Sequence, residues 1–390
     1  MKLASIHPFP ARMAPEIVFR QLQGLPARST ILDPMSGSGT VLRAASELGH
    51  RAIGFDLDPL AVLMSRVWTT PCDDLSLRRA AETIVCESKS VRDEYLPWID
   101  DSEETTAYVR FWFCNKQLKV LRRLAFVLSK SRGRVSDVMR LALSRTIITK
   151  ERGASVARDT SHSRPHRVFF RNQYDMYEGF LASVSRLSTK LMFAKLAGTV
   201  NVRRGDSRKL ETLRARSVDA VITSPPYLNA IDYLRGHRLS LVWLGFSVSE
   251  IRRLRSHSIG AETMSDHVSA GVVSELLRKA GNLSKLPNRE AGMVTRYAQD
   301  VYAFLQEIAR VTKPDGKVLL VVGNSCLKGV PIWNADISLA AAAILGFELI
   351  RRTERELPMA QRYLPLPLDD RLGSLGRRMR RETLLDLRAS

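Results

Sequence analysis

Leu32-Asp33-Pro34-Met35-Ser36-Gly37-Ser38-Gly39-Thr40 decides how this chain of 390 residues is read. Ahead of it, Ser29-Thr30-Ile31-Leu32 has the composition of a short buried strand. Behind it, Val41 to Gly49 spaces its apolar residues as a helix does and stops on a glycine. Strand, tight glycine turn and helix make the first half of a nucleotide-binding βαβ unit. Gly37 and Gly39 let the backbone turn sharply, and let a ligand press on main-chain atoms where a Cβ would intrude. No lysine follows the glycines, so this is not the phosphate-cradling GxxxxGK[ST] loop. Asp33 at the strand end would also repel a polyphosphate, and it suits a cationic ligand instead.

The next strand supplies the check. Arg51-Ala52-Ile53-Gly54-Phe55-Asp56 is apolar and ends on an acid, and Leu57-Asp58-Pro59 opens another helix. Asp56 lies 17 residues beyond Gly39, near the offset of roughly 20 at which a second-strand acid grips ribose hydroxyls. That spacing assigns Asp56 to a ribose, whereas Asp58 reads as the cap of the helix at Pro59. A ribose with a cationic group beside it fits S-adenosylmethionine, whose amine and sulfonium would face Asp33.

From Pro71 to about Leu196 the alternation of strand and helix stops. Tyr108–Phe113 and Leu118–Leu128 are apolar, Val135–Ile148 and Met176–Leu191 read as helices, and Ala154–Arg167 is polar and basic. The alternation then resumes. Thr199–Val202 is a strand leading to Asp206, a third acid at a third strand end. Ser217–Thr223 is a fourth strand running into Ser224-Pro225-Pro226-Tyr227. Beyond it come a helix over 229–244, a loop over Pro287–Gly292 and a long helix over Arg296–Val311, ended by Lys313-Pro314-Asp315-Gly316. A strand over Lys317–Val322, a helix over Ile337–Leu345 and a strand over Phe347–Arg351 follow, and Arg380–Leu387 reads as a last edge strand. The fold class is therefore α/β, a Rossmann-like sheet with helices on both faces and a largely helical basic insertion. Residues 1–70 are the N-terminal arm and first part of the sheet domain, 71–196 the insertion, and 197–390 the remainder.

Composition, at 45% apolar and 26% charged, is that of a folded chain. The four cysteines are scattered without a CxxC or paired histidines, so neither a metal site nor a disulfide framework is expected. The N-terminus lacks the apolar core of a signal peptide, and no apolar run is long enough to span a bilayer. A cytoplasmic protein with no membrane partner is expected. Net charge is +20, and residues 105–216 carry 25 Lys and Arg against 7 Asp and Glu. Charge so concentrated points to a polyanion, and the absence of an amphipathic anchor favours nucleic acid over a membrane. Arg152, Arg158, Arg164 and Arg167 in the basic loop are the candidate DNA-binding residues. His162 and His166 beside them either read phosphates and bases or belong to a solvated loop.

In an open α/β sheet the ligand sits beyond the carboxyl ends of the strands, where Asp33, Asp56, Asp206 and Ser224 all fall. Pro226 has no N–H, and the two prolines fix the backbone so that the Pro225 carbonyl points outward. Hydroxyl, carbonyl and the Tyr227 ring together form an acceptor-rich site for a planar amine. A nucleobase amine is a poor nucleophile because its lone pair is delocalised into the ring. Accepting both its hydrogens lets the nitrogen pyramidalise, and no strong base is needed beforehand. Tyr227 would stack on a base flipped out of the helix. Asn229, Asp232 and Tyr233 just beyond either line the base pocket or serve capping and packing.

The stretch Asp33–Thr40, the turn Ser224–Tyr227 and the acids Asp56 and Asp206 resemble the motifs of the amino-group DNA methyltransferases, which modify N6 of adenine or N4 of cytosine. The resemblance spans 1–70 and 197–390. It implies that Asp33, Pro34, Ser36, Gly37, Gly39, Thr40, Asp56 and Asp206 bind S-adenosylmethionine, and that Ser224, Pro225, Pro226 and Tyr227 hold the target amine. Ser at the first motif position resembles the cytosine-N4 branch, with adenine-N6 the alternative. His7-Pro8-Phe9-Pro10 is similar to the segment that closes over the cofactor in that family, which adds Phe9 to the cofactor set. The sequence alone also reads it as a plain arm, since three prolines in eight residues exclude a helix. Double-stranded DNA as the substrate, and a cognate restriction endonuclease as a functional partner, are what the resemblance implies. The insertion lies between the second and third strands, away from where that family usually carries its target-recognition region.

Rival chemistries separate on residues. C5-cytosine methylation needs a Cys nucleophile, but Pro71-Cys72 follows a helix and faces Asp73-Asp74, which would raise the thiol pKa. Glutamine methylation needs Asn before the two prolines. RNA base methylation shares the motif but lacks a recognisable RNA module. A DNA-binding regulator with a vestigial cofactor fold would not retain the glycines, the acids and Ser-Pro-Pro-Tyr together.

Overall fold

The computed structural model describes residues 3–9, 12–148, 153–158, 165–192, 196–228, 232–260, 268–357 and 381–390. Helix α1 (Pro15–Gln23) precedes β1 (Thr30–Asp33), α2 (Thr40–Glu47), β2 (Arg51–Asp56) and α3 (Pro59–Trp68). β1 and β2 pair in parallel from Thr30 and Arg51 to Asp33 and Gly54, so the strand-end acids emerge side by side. The remaining strands of the sheet are β3 (Val200–Arg204), β4 (Val218–Thr223), β5 (Thr312–Gly323), β6 (Glu348–Glu356) and β7 (Arg381–Arg388). They lie in the order β6-β7-β5-β4-β1-β2-β3. Six of the seven strands run in one direction, and β7 runs antiparallel between β5 and β6. The chain reverses direction across the sheet between β1 and β4, and that crevice is where a doubly wound sheet takes its ligand.

Side-chain alternation along each strand feeds two apolar layers. Ile31, Ala52, Ala220, Ile222, Leu319 and Val321 face one layer with α1, α2 and α3. Leu32, Ile53, Val221, Val318, Leu320 and Val322 face the other. That second layer holds α6 (Ala270–Lys279), α7 (Asn288–Val311) and α8 (Asn334–Ile344). Between β4 and these helices, α4 (Tyr233–Leu241) and α5 (Val248–Ser256) return to the first layer.

The described helices of 71–196, chiefly Asp74–Ser90, Asn115–Lys130, Arg134–Ile147 and Met176–Met192, share that first layer. Leu121, Leu124, Met139, Leu143 and Phe180 belong to one buried cluster with Ile31, Leu42, Met64 and Trp68. The N-terminal arm is tied to the same helices, because His7 Nε2 lies 2.9 Å from Ser144 Oγ.

Three expectations are corrected. β7 is an interior strand and β6 is the edge. Leu385 and Leu387 of β7 are core residues, whereas β6 (ELIRRTERE) is exposed along nearly its whole length and edged with charge. Helix α7 begins at Asn288, not 296; Pro287 sits in its capping position and Ala291 and Val294 pack into the second layer. Buried contacts there outweigh the helix penalty of Gly292. Lys313–Gly316 does not precede a strand but is an excursion inside β5. The register against β4 jumps from Val218–Thr312 to Ala220–Lys317, with Asp315 at φ +60°.

Candidate active site

The glycine turn is held by backbone hydrogen bonds. Ser36 N–H donates to Phe55 O at 2.8 Å, and Gly39 N–H to Ser36 O at 2.7 Å. Gly39, at φ +85°, occupies the capping position of α2, and a Cβ there would lie 2.9 Å from Ser65 Cα. Its role is close packing of the turn on α3, and it does not line the cavity below. Gly37, at φ +48°, donates its N–H to Asp56 Oδ2 at 2.7 Å, and a Cβ on it would meet the Phe9 ring at 3.0 Å. The two glycines therefore do different work.

A cavity of about 620 Å³ opens at the carboxyl ends of the strands. Phe9, Asp33, Pro34, Ser36, Gly37, Thr40 and Asp56 line one side. Asp206, Ser224, Pro225, Pro226 and Tyr227 line the other. Asp33 Oδ1 accepts from Thr223 Oγ1 at 2.8 Å and from Met35 N–H at 3.2 Å. Asp56 also accepts Asp58 N–H at 3.0 Å. Burial pushes both carboxyls up to about 7, with Asp58 adding to the shift at Asp56 and hydrogen bonds opposing it at both. Two buried carboxyls converging on one cavity are the electrostatic complement of a cationic, hydroxyl-rich ligand.

Asp58 caps α3, accepting Leu60 N–H at 2.8 Å, as its sequence position indicates. Its other oxygen contacts His237 Nδ1 on α4, a buried pairing the sequence does not reveal. The Phe9 ring stacks on Tyr233 at 5.1 Å with 16° between planes, and lies 5.7 Å from His237. Phe9 thus has a defined seat above Gly37. Asp206 sits at the cavity wall with its carboxylate taken up by Arg208, through Nε at 3.0 Å and Nη2 at 2.6 Å. Arg208 Nη1 reaches Asp300 at 2.6 Å. These two acids hold the guanidinium pKa above its ordinary value against the opposing effect of burial.

Ser224 Oγ lies 2.9 Å from Val321 O, the carbonyl of the neighbouring strand β5, and 3.2 Å from the Tyr227 hydroxyl. A carbonyl only accepts, so the single Ser224 proton is committed to it, and the Tyr227 O–H donates to Ser224. Ser224 therefore presents a fixed lone pair to the cavity. Burial, and Glu382 next, push the Tyr227 hydroxyl pKa well above its ordinary value, so it remains a donor.

Asp232 caps α4, accepting Arg235 N–H at 3.1 Å, and also lines the cavity with Tyr233. Asn229 lies outside the described residues. Arg289, Met293 and Arg296, absent from the sequence-based set, line the cavity from the first turns of α7. Their i, i+4, i+7 spacing is the signal of one helix face, and reading 287–292 as a loop hides it. Arg158 and Arg167 are exposed on a short antiparallel hairpin, Ala157–Arg158 against His166–Arg167. Arg152, Arg164 and His162 lie outside the described residues. Among the described residues no His, Cys, Asp and Glu cluster could hold a metal ion, and no helix is long and apolar enough to cross a membrane.

No family model matches the chain. Type II methyltransferase M.MvaI of Kocuria varians is 24% identical over 363 residues, covering 84% of this chain and 78% of that protein. Type II methyltransferase M.BsoBI of Geobacillus stearothermophilus is 23% identical over 396 residues, covering 84% and 75%. Among solved structures, a SAM-dependent methyltransferase of Methanosarcina mazei aligns with 97% of this chain and 98% of its own at 10% identity and a TM-score of 0.34. The chain is thus similar along most of its length to type II methyltransferases, and its fold is a Rossmann-like α/β sheet.

Proposed function

We propose that the protein is a site-specific DNA methyltransferase that acts on the exocyclic N4 amine of cytosine, with S-adenosylmethionine as cofactor. The observation that carries the reading is the Ser224 hydroxyl, locked as an acceptor by Val321 O, in the same cavity as the buried Asp33 and Asp56 carboxyls. The cofactor supplies the methyl group as a sulfonium electrophile. Asp56 fits the ribose hydroxyls, Asp33 the cationic end, and Phe9 covers the adenine side of the turn. Pro34, Ser36, Gly37 and Thr40 contribute the wall, with Gly39 shaping it from behind.

Ser224 Oγ and the Pro225 carbonyl accept the two amine hydrogens and aim the nitrogen lone pair, while Pro226 keeps the turn rigid. Tyr227, a donor to Ser224, supports that hydroxyl and offers a ring face to the extruded base. Asp206 acts with Arg208 as one wall of the site. Arg158 and Arg167, with Arg152 and Arg164, contact the DNA backbone. The protein works in the cytoplasm, paired functionally with a restriction endonuclease that cuts the same unmethylated site.

Kinetics of Ser224→Ala test the reading. Removing one preorganised hydrogen bond is expected to lower turnover about 10²–10³-fold with cofactor affinity unchanged. Full activity in Ser224→Ala would remove the basis of the assignment.

A further inference from the structure

The cavity leaves a set of exposed rings on the insertion without a role. Phe170 is 83% exposed and Phe111 50% exposed, and both rings lie by Arg167 of the strand pair Ala157–Arg158 and His166–Arg167. The Arg167 guanidinium lies 5.1 Å from the Phe111 centroid and 5.5 Å from that of Phe170, so one cation joins both rings. Phe111 meets Trp112 edge-on at 5.0 Å, Trp112 approaches Tyr108 at 6.2 Å, and Arg238 lies 5.4 Å over Tyr108. Arg238 lies three residues, about one turn, along α4 from Arg235, which lines the cavity. Ring and guanidinium contacts thus run unbroken from Phe170 to the helix at the cavity wall.

We infer that Phe170, backed by Arg167 and Phe111, is a stacking surface for an unstacked nucleobase of the DNA. The inference rests on the DNA reading above and names a second contact for that substrate, apart from the methyl-accepting pocket. A ring this exposed contributes nothing to the core, and water is a poor environment for it. Its surroundings are cationic: Arg110, Arg158, Arg167 and Arg171 are exposed in the segments beside it, and no Asp or Glu occurs in 108–114, 154–158 or 165–171. A protein-docking patch with an apolar partner has no use for that cationic rim. A nucleic-acid strand, which alternates flat bases with anionic phosphates, matches both features. Extruding a target base leaves the strand locally unstacked, and a ring that accepts any base face offsets that loss without reading sequence.

The test compares the full-length wild type with Phe170→Ala, Phe170→Trp, Phe170→Leu and Arg167→Ala. Each is titrated with a duplex carrying the site it methylates and with single-stranded RNA of the same length, across a salt series. Phe170→Ala is expected to weaken duplex binding about 5–150-fold, with S-adenosylmethionine affinity and salt slope unchanged. Phe170→Trp restores binding and Phe170→Leu does not, while Arg167→Ala lowers the log–log salt slope by about 0.9. Duplex binding by Phe170→Ala within twofold of wild type overturns the stacking surface, as does equal rescue by Leu or tighter binding of the RNA. If the wild type binds cofactor but no DNA, the DNA reading falls too. If the wild type methylates DNA and Phe170→Ala binds and methylates equally, only the stacking surface falls.

Discussion

Asp33 and Asp56 meet at the cavity as buried acids, and burial raises both carboxyls to about 7. A folded-state pKa above the unfolded value means stability present at low pH and lost as pH rises through about 7. A cation at Asp33, and hydroxyl donors at Asp56, favour the ionised forms and reverse that loss. Calorimetry is therefore expected to show S-adenosylmethionine binding that tightens from pH 6 to pH 8, and a flat profile would contradict a carboxylate-lined cofactor site. Asp56→Ala should weaken the cofactor by about 1–3 kcal/mol by removing charge-assisted hydrogen bonds, and unchanged affinity would contradict the ribose assignment. These acids are legible in the sequence because each follows a strand at a fixed offset from a glycine turn. Arg208 and His237 are not, since Asp300 and Asp58, the acids that hold them, are distant in the chain.

At the level of the elements, the first βαβ unit stands nearly as its periodicity predicts, because the bonds that shape the turn close within the unit, from Ser36 to Phe55 and from Gly37 to Asp56. The two glycines provide a comparison. Gly39→Ala places a Cβ at φ +85° within 2.9 Å of backbone on α3, whereas Gly37→Ala meets only the Phe9 ring, which can shift. Denaturant melts should show Gly39→Ala losing about 1–3 kcal/mol and Gly37→Ala losing less, with its larger effect on cofactor affinity. Equal losses would mean that the turn is not packed on α3 as described. The positions of β6 and β7 are harder to read, because order across a sheet is set by partners that local sequence does not name. Only the contrast between the leucines of β7 and the charges of β6 hints at which one is buried. The start of α7 is obscured for a related reason: propensity at Gly292 argues one way and burial of Ala291 and Val294 the other.

Across the whole molecule, the basic segment is both a charge reservoir and part of the core. Leu121, Met139 and Phe180 are buried with Leu42 and Met64 of the sheet domain, so deleting 71–196 would strip that face. The deletion is expected to abolish cooperative unfolding, where a detachable DNA-binding module would leave a folded, cofactor-binding remainder. Neutralising Arg152, Arg158, Arg164 and Arg167 should lower the log–log salt slope of DNA binding by about 0.9 for each phosphate that no longer meets an arginine, leaving cofactor affinity intact. An unaltered slope would put the DNA elsewhere on the surface, with the arginines that line the cavity the next to test. Charge concentration is plain in the sequence; its burial partners are not, because a helical insertion looks the same whether it folds apart or onto its neighbour. The most direct measurement is mass spectrometry of nucleosides from DNA incubated with the protein and isotope-labelled S-adenosylmethionine. Labelled N4-methylcytosine is the predicted product, formed about 10²–10³-fold more slowly with Ser224→Ala, and labelled 5-methylcytosine or DNA without label would contradict amino-group transfer at Ser-Pro-Pro-Tyr.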